Sequence, residues 1–236
     1  MNDLVLLQER IAYSFQDVSL LQNALIHSSY AYERSHDQIT VEDNERLEFL
    51  GDGLIDFIVG ETLYRRMKNR DEGYLSKTRA LIVCESTLSS VAIGLGVGEM
   101  LLLGKGEEQS GGRKKPSNLA NAMEAIFAAV FLDGGFDAAK TVVLTVLKEY
   151  MEDAIKGELV FDYKSKILEL AQTKGHAREV QFVIASQDGP VHERIFTAHL
   201  LVNGSIFAQG TGSSKKLAEQ AAAKAAYPSF RKHYHI

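Results

Sequence analysis

The chain has 236 residues, 45% of them hydrophobic and 24% charged, the balance of a soluble globular protein with room for one large domain or two modest ones. Its single cysteine, Cys84, excludes an internal disulfide framework and a Cys-rich zinc site, and fits a reducing compartment. The net charge of −5 is unevenly spread: residues 161–236 hold ten Lys/Arg against six Asp/Glu, a balance of +4, which leaves −9 for residues 1–160. Such asymmetry points to two modules, one of which can face phosphate.

In chain order, MNDLVLLQERIAYSF lacks the basic leader and apolar core of a signal peptide. The longest uninterrupted apolar run, AIFAAVFL at 125–132, is too short to span a bilayer. The expectation is a cytoplasmic chain with no membrane partner. Helical apolar spacing runs through LLQERIAYSF, SLLQNALIHSSY, NERLEFLGDGLIDFIVGETLYRR, EGYLSKTRALIVCESTLSSVAIGLG, SNLANAMEAIFAAVFLDG and AAKTVVLTVLKEYMEDAIK, predicting an all-helical module over residues 1–155. Polar loops fall at Ser35–Asp43 and at GKGEEQSGGRKKP, residues 104–116. The glycine-rich 104–116 loop has the flavour of a phosphate cradle, but it lacks the Gly-Lys-Ser/Thr ending and no strand precedes it, so it reads as a connector.

Beyond a linker near 155–162 the pattern changes. Residues 164–174 read as a helix, QFVIAS, ERIFTAHLLV and SIFAQGTG as strands, and SSKKLAEQAAAKAAYPSF as a closing helix begun by serine. QDGP and Asn203-Gly204 mark the turns, the latter a strong hairpin signal. Residues 162–231 thus have the order α-β-β-β-α.

The chemistry-bearing pattern is NERLEFLGDGLIDF, residues 44–57. Leu47, Leu50, Leu54, Phe57 and Ile58 form a core-seeking face, while Glu45, Glu48, Asp52 and Asp56 stack along one stripe of the same helix. Like charges so placed repel, and Arg46 points elsewhere. A second helix, apolar on all sides, carries Asn121 and Glu124 on one face with no Lys or Arg between Asn118 and Asp133. An unpaired buried carboxylate costs several kcal/mol, about 3–5 when its partner is removed. Three readings remain open: an ion pair from elsewhere, a carboxylate at a cleft mouth, or a shared site of oxygen ligands for a hard cation, Mg²⁺ or Mn²⁺.

These residues resemble the signature of the ribonuclease III family, and the resemblance continues through HSSY at 27–30, DEGYLSK at 71–77, LLLGKGEEQSGG and PSNLANAMEAIFAAVFLDGG at 116–135. The second module resembles a double-stranded RNA-binding domain in DYKSKILELAQTKG, GPVH at 189–192 and GTGSSKKLAEQAAA at 210–223. The resemblance covers nearly the whole chain. It implies an all-helical endonuclease acting as a homodimer on double-stranded RNA, leaving 5′-phosphate and 3′-hydroxyl ends, with rRNA precursors among the family's substrates. Carried over by position, Glu48, Asn121 and Glu124 match metal ligands, and Asp52 and Glu124 match catalytic carboxylates. Glu45 and Glu72 match acids near the RNA, and Phe49 matches a dimer contact, a plain core aromatic being the alternative. Asp56 matches no role and is left to solvent.

Two departures from the family pattern stand out. Gly53 replaces a more usual Ser or Ala, and Asn121 replaces the commoner Asp, an amide oxygen that brings no charge. The latter admits a rival reading, a protein that binds RNA but cuts poorly. In the second module, Lys215 and Lys216 sit at the start of the last helix, where backbone N–H groups favour phosphate although cations oppose the helix dipole. Glu169, Gln172 and His192 are candidates for 2′-hydroxyl contacts, since A-form RNA is read by shape, 2′-hydroxyls and phosphates.

Overall fold

The computed structural model describes residues 2–36, 41–157, 159, 162–173, 179–190 and 194–233. The chain divides into two compact units, residues 1–159 and 160–236.

The first unit is helical: α1 (Asn2–Arg10), α2 (Val18–Ala24), α3 (Ser28–His36), α4 (Glu45–Arg66), α5 (Glu72–Val83), α6 (Glu85–Leu95), α7 (Val97–Met100), α8 (Lys105–Gln109), a 3₁₀ turn at Gly112–Lys114, α9 (Pro116–Val146) and α10 (Lys148–Lys156). Its centre is α9, against which α2, α4 and α6 pack. Ala120, Ala122, Met123 and every residue from Ala125 to Val130 are buried there. By length and composition Pro116–Val146 and Glu72–Leu95 are long and apolar enough to cross a membrane, more than the longest uninterrupted apolar run implied. In this fold more than half of the apolar window of Pro116–Val146 is buried, and the less buried Glu72–Leu95 stretch is interrupted by extended backbone at Cys84. At Gly135 a φ of 78° breaks α9, a conformation that side chains rarely tolerate, which is why two helical patterns flank it. Just before that break Asp133 accepts from the Tyr13 hydroxyl at 2.6 Å and from the Gln16 and Asp17 amides at 2.9 and 2.8 Å, tying the α1–α2 turn to α9.

The loop over 104–116 is a connector, but a strapped one. It contains α8 and the 3₁₀ turn, and Arg113 donates to the carbonyls of Gly98, Glu99 and Leu101 at 3.0, 3.1 and 2.9 Å. Buried Asn118, in the first turn of α9, donates to Glu107 at 2.8 Å and to the Gly112 carbonyl at 3.1 Å, so this strap sets where α9 begins.

Helix α4 differs from the expected single core face. Its inward residues are Leu47, Ile55, Ile58, Val59 and Leu63. Phe57, expected in the core, is 61% exposed and stands edge-on to Phe136 with ring centroids 5.8 Å apart. Phe49 and Tyr64 share its outward stripe, so α4 has apolar surface on two sides, and helical spacing registers both as one pattern.

The second unit runs α11 (Tyr163–Thr173), β1 (Val180–Asp188), β2 (Ile195–Val202), β3 (Ser205–Gly212) and α12 (Lys215–His233), the expected helix, three strands and helix. The sheet is antiparallel in the order β1-β2-β3. Asn203 and Gly204, at φ 51° and 76°, make the tight turn that pairs Val202 with Ser205, because positive φ at both central residues matches the strand twist. Ile167 and Ala171 of α11 share a core with Val180, Leu200 and Val202 of the sheet and with Ala223, Ala226 and Phe230 of α12. Asp162 joins the two helices by accepting from the Ser165 amide at 2.9 Å and the Gln220 side chain at 2.5 Å.

Candidate metal centre and RNA-contacting residues

The site is built where α4 crosses α9. Asn44 fixes the start of α4: it is buried, its amide N–H donates to the Ile26 carbonyl at 2.8 Å, and its side chain donates to the Ala24 carbonyl at 3.1 Å. The cap comes instead from Asp43, which accepts from the Glu45 amide at 3.1 Å. Two turns on, Gly51 lies against α9 so closely that a Cβ there would meet the Glu124 carbonyl oxygen at 2.0 Å. Backbone therefore packs on backbone at this point, and Glu48 and Asp52 come up beside Asn121 and Glu124.

Electrostatics record the juxtaposition. Burial, then the charges of Asp52 and Glu48, push the Glu124 carboxyl up to about 7. Burial, followed by Glu45, also raises Glu48, while a hydrogen bond donated by the Asn121 side chain works in the opposite direction and Asp52 and Asp43 add to the rise. Glu48, Asn121 and Glu124 are half-buried, and Asp52 is exposed at their edge. The amide at 121 thus does something a carboxylate cannot: it holds Glu48 by donation, and its oxygen remains available as a ligand.

Among the described residues no three His, Cys, Asp or Glu side chains converge tightly enough to enclose an ion by themselves. The donor chemistry nonetheless fits a hard divalent cation, since every candidate ligand is an oxygen and neighbouring carboxylates raise both Glu48 and Glu124. A positive charge there would reverse the sign of that interaction.

The other acids of the stripe separate. Arg79 of α5 pairs with Asp56 at 3.4 Å, so Asp56 is not simply solvated. Arg46 turns back to Glu42 at 3.5 Å in a pair whose side chains are 90% and 72% exposed, where screening leaves little energy. Glu45 is exposed in the first turn of α4, and Glu72 in the first turn of α5 accepts from Ser76 at 2.7 Å. Phe49 is 84% exposed, which excludes the core-aromatic alternative. Beside it opens a groove of about 620 Å³ in which Leu20, Leu47, Leu50 and Leu132 are flanked by Glu42, Asp43, Glu45 and Arg46.

In the second unit Lys215 and Lys216 are exposed in the first turn of α12, where Ser214 Oγ accepts from the Leu217 amide at 3.2 Å. Glu169 and Gln172 are exposed on α11, with Lys166 3.2 Å from the Glu169 carboxylate. His192 lies outside the described residues. Asn44 and Gly51 are what sequence reasoning missed. Both sit inside the acidic stretch 44–57, and a small residue between Glu48 and Asp52 was the available signal for close helix packing.

Comparison with known proteins agrees over both units. A ribonuclease-III-like family model matches residues 17–151, and a double-stranded RNA binding motif matches residues 163–228. Ribonuclease 3 of Pelotomaculum thermopropionicum is 46% identical over 223 residues, 94% of this chain and 91% of that protein. The Bacillus licheniformis enzyme is 43% identical over 230 residues, 96% of this chain and 90% of that one. A nuclease-domain structure of ribonuclease III from Campylobacter jejuni superposes with a TM-score of 0.57 at 39% identity, covering 63% of this chain and 96% of its own. Another structure of that domain, described for flexibility in its region involved in dimer formation, gives a TM-score of 0.56 at 39% identity, covering 61% of this chain and 96% of its own.

Proposed function

Because the chain belongs to the ribonuclease III family of endoribonucleases, we propose that it hydrolyses double-stranded RNA with Mg²⁺, leaving 5′-phosphate and 3′-hydroxyl ends. The family implies a divalent metal; Mg²⁺ is the reading favoured by an all-oxygen donor set, with Mn²⁺ able to substitute. Residues 1–155 form the nuclease domain and 162–231 the RNA-binding domain. The protein works in the cytoplasm as a homodimer, with rRNA precursors and other structured RNAs as substrates.

Glu48, Asn121 and Glu124 are the residues that would hold the cation. When bound, it lowers the pKa of a water and stabilises charge on the phosphate oxygens. Asp52, exposed at the edge of the cluster, orients the attacking water and accepts its proton at a carboxylate oxygen. Glu124, packed on the Gly51 backbone, is fixed at Cα and keeps its carboxylate facing Asp52 and Glu48. Asn121 steadies Glu48. Glu45 and Glu72 flank the duplex. Lys215 and Lys216 contact phosphates, and Glu169, Gln172 and His192 meet 2′-hydroxyls across successive minor grooves. Phe49, projecting beside a groove with a leucine floor and a charged rim, inserts into the corresponding groove of a second copy.

The observation that carries this reading is the Glu124 carboxyl, raised in pKa by burial and by the charges of Asp52 and Glu48 across two helices locked together at Gly51. A long RNA duplex incubated with Mg²⁺ tests it, beside an Asp52→Asn control. Cutting by the parent and retained binding without cutting by the variant are expected. Binding without cutting by both proteins overturns the catalytic assignment, and equal cutting of single-stranded RNA or DNA overturns the substrate class.

A further inference from the structure

Residues 1–160 carry a net charge of −9, yet Arg65, Arg66, Lys68 and Arg70 fall within six residues at the C-terminal end of α4. Arg66 is committed to Glu152, with two contacts of 2.6 and 3.0 Å. The other three line one open cavity of about 520 Å³ with Tyr64, Met67 and Leu75. Met67 and Leu75 supply its apolar lining, while Tyr64 stands 73% exposed and presents a hydroxyl. The Arg70 guanidinium is fixed over the Tyr74 ring at 4.4 Å, and Lys68 has no ion pair among the described residues. Of these three cations, Arg65 is held by Glu61, which leaves Lys68 and Arg70 as the cavity cations without an acid partner among the described residues. Asp71 accepts from the Tyr74 amide at 2.8 Å, Glu72 from Ser76 at 2.7 Å, and Glu61 pairs with both Arg65 and Lys140.

We propose that this cavity binds the phosphate backbone of duplex RNA at a point separate from the catalytic cluster. The inference rests on the reading of the chain as a double-stranded-RNA endonuclease and adds a contact to it. An acidic unit repels an RNA strand on approach, so a local group of cations lowers that barrier where it meets the strand. Guanidinium forks and an ammonium supply charge-assisted donors to phosphate, and the Tyr64 hydroxyl adds a neutral one. With a rise of about 1.5 Å per residue, Tyr64 lies about 18 Å along α4 from Asp52, too far to share its phosphate. Such a contact sets position and affinity, and it carries no sequence information.

The test uses the full chain with Lys68→Gln and Arg70→Gln combined. Lys148→Gln serves as a charge-loss control elsewhere on the same unit, and Lys68→Gln alone covers a folding defect at position 70. Binding of a long RNA duplex is measured in EDTA across a salt series, cleavage is measured with Mg²⁺, and sedimentation reports the oligomer. In the double variant the slope of log Kd against log salt is expected to fall by about one to two, with KM raised and kcat at saturating RNA unchanged. The single variant is expected to show about half that change. An unchanged slope, a control that matches the variant, a loss confined to kcat, or a change of oligomeric state overturns the proposal. If the parent fails to cut duplex RNA, the enzymatic reading falls, while the salt slope still decides the cavity.

Discussion

Replacing Gly51 by alanine sets a methyl group 2.0 Å from the Glu124 carbonyl oxygen, 2.5 Å from its carbon and 3.0 Å from its Cα. All three are backbone atoms, so no side chain can swing aside to make room. Reaching ordinary contact at 3.4 Å requires α4 and α9 to part by about 1.4 Å at the centre of the site. Overpacking of this kind costs about 1–3 kcal/mol, offset in part by up to about 1 kcal/mol from the better helix propensity of alanine. The catalytic consequence is larger than the stability one. A misplacement of about 1 Å costs on the order of a hundredfold in rate, and here Glu48 and Asp52 move as a pair against Asn121 and Glu124. Gly53 makes the natural comparison, because a Cβ there meets nothing within 4 Å. Alanine at 53 is expected to raise stability by about 0.5–1 kcal/mol and leave cleavage intact. Single-turnover cleavage of duplex RNA with thermal melts of both variants decides the matter. A Gly51→Ala protein that melts and cuts like the parent would refute the claim that close backbone approach at Gly51 sets the geometry of the cluster.

Asn121→Asp exchanges the donor that holds Glu48 for another repelling carboxylate, so the metal-free protein should melt lower and regain stability on adding Mg²⁺, with tighter apparent Mg²⁺ affinity. A melting curve and Mg²⁺ response identical to the parent's would remove position 121 from the ligand set. Burial, then the Asp133 hydrogen bond and charge, hold the Tyr13 hydroxyl protonated up to about 12 from an ordinary 10.0. The folded state therefore retains a proton that the unfolded chain loses, and stability present below pH 10 should be lost between about pH 10 and 12. Tyr13→Phe should flatten that slope in urea titrations at stepped pH. At the acid end burial works against the Asp133 carboxylate, but the donors from Tyr13, Asp17 and Gln16 outweigh it and hold the pKa below its ordinary 3.8. Its contribution, present above pH 3.8, is lost as pH falls through the lower folded value, and Asp133→Asn should remove that dependence. Phe49→Ala should weaken self-association about 30-fold or more by sedimentation, the cost of truncating a buried aromatic anchor, and an unchanged dimer would free Phe49 from that role.

Much of the architecture follows from local rules. Helical spacing marked the bundle, alternation marked the three strands, and Asn203-Gly204 marked the hairpin, because each depends on neighbours within a few residues. The acids were visible for the same reason, as carboxylates stacked on faces where burial or repulsion should forbid them. Which acids meet was not local. Periodicity shows that a residue faces something apolar or polar, but not whether that surface is its own core or another molecule. Phe57 accordingly fitted the core pattern and stands exposed, and Asp56 matched no partner in the sequence and pairs with Arg79. The amino-acid sequence by itself determined most of the elements and the inventory of candidate ligands. Only the tertiary structure decided that Gly51 closes on Glu124, because contact between residues so far apart in the chain depends on how two whole helices pack.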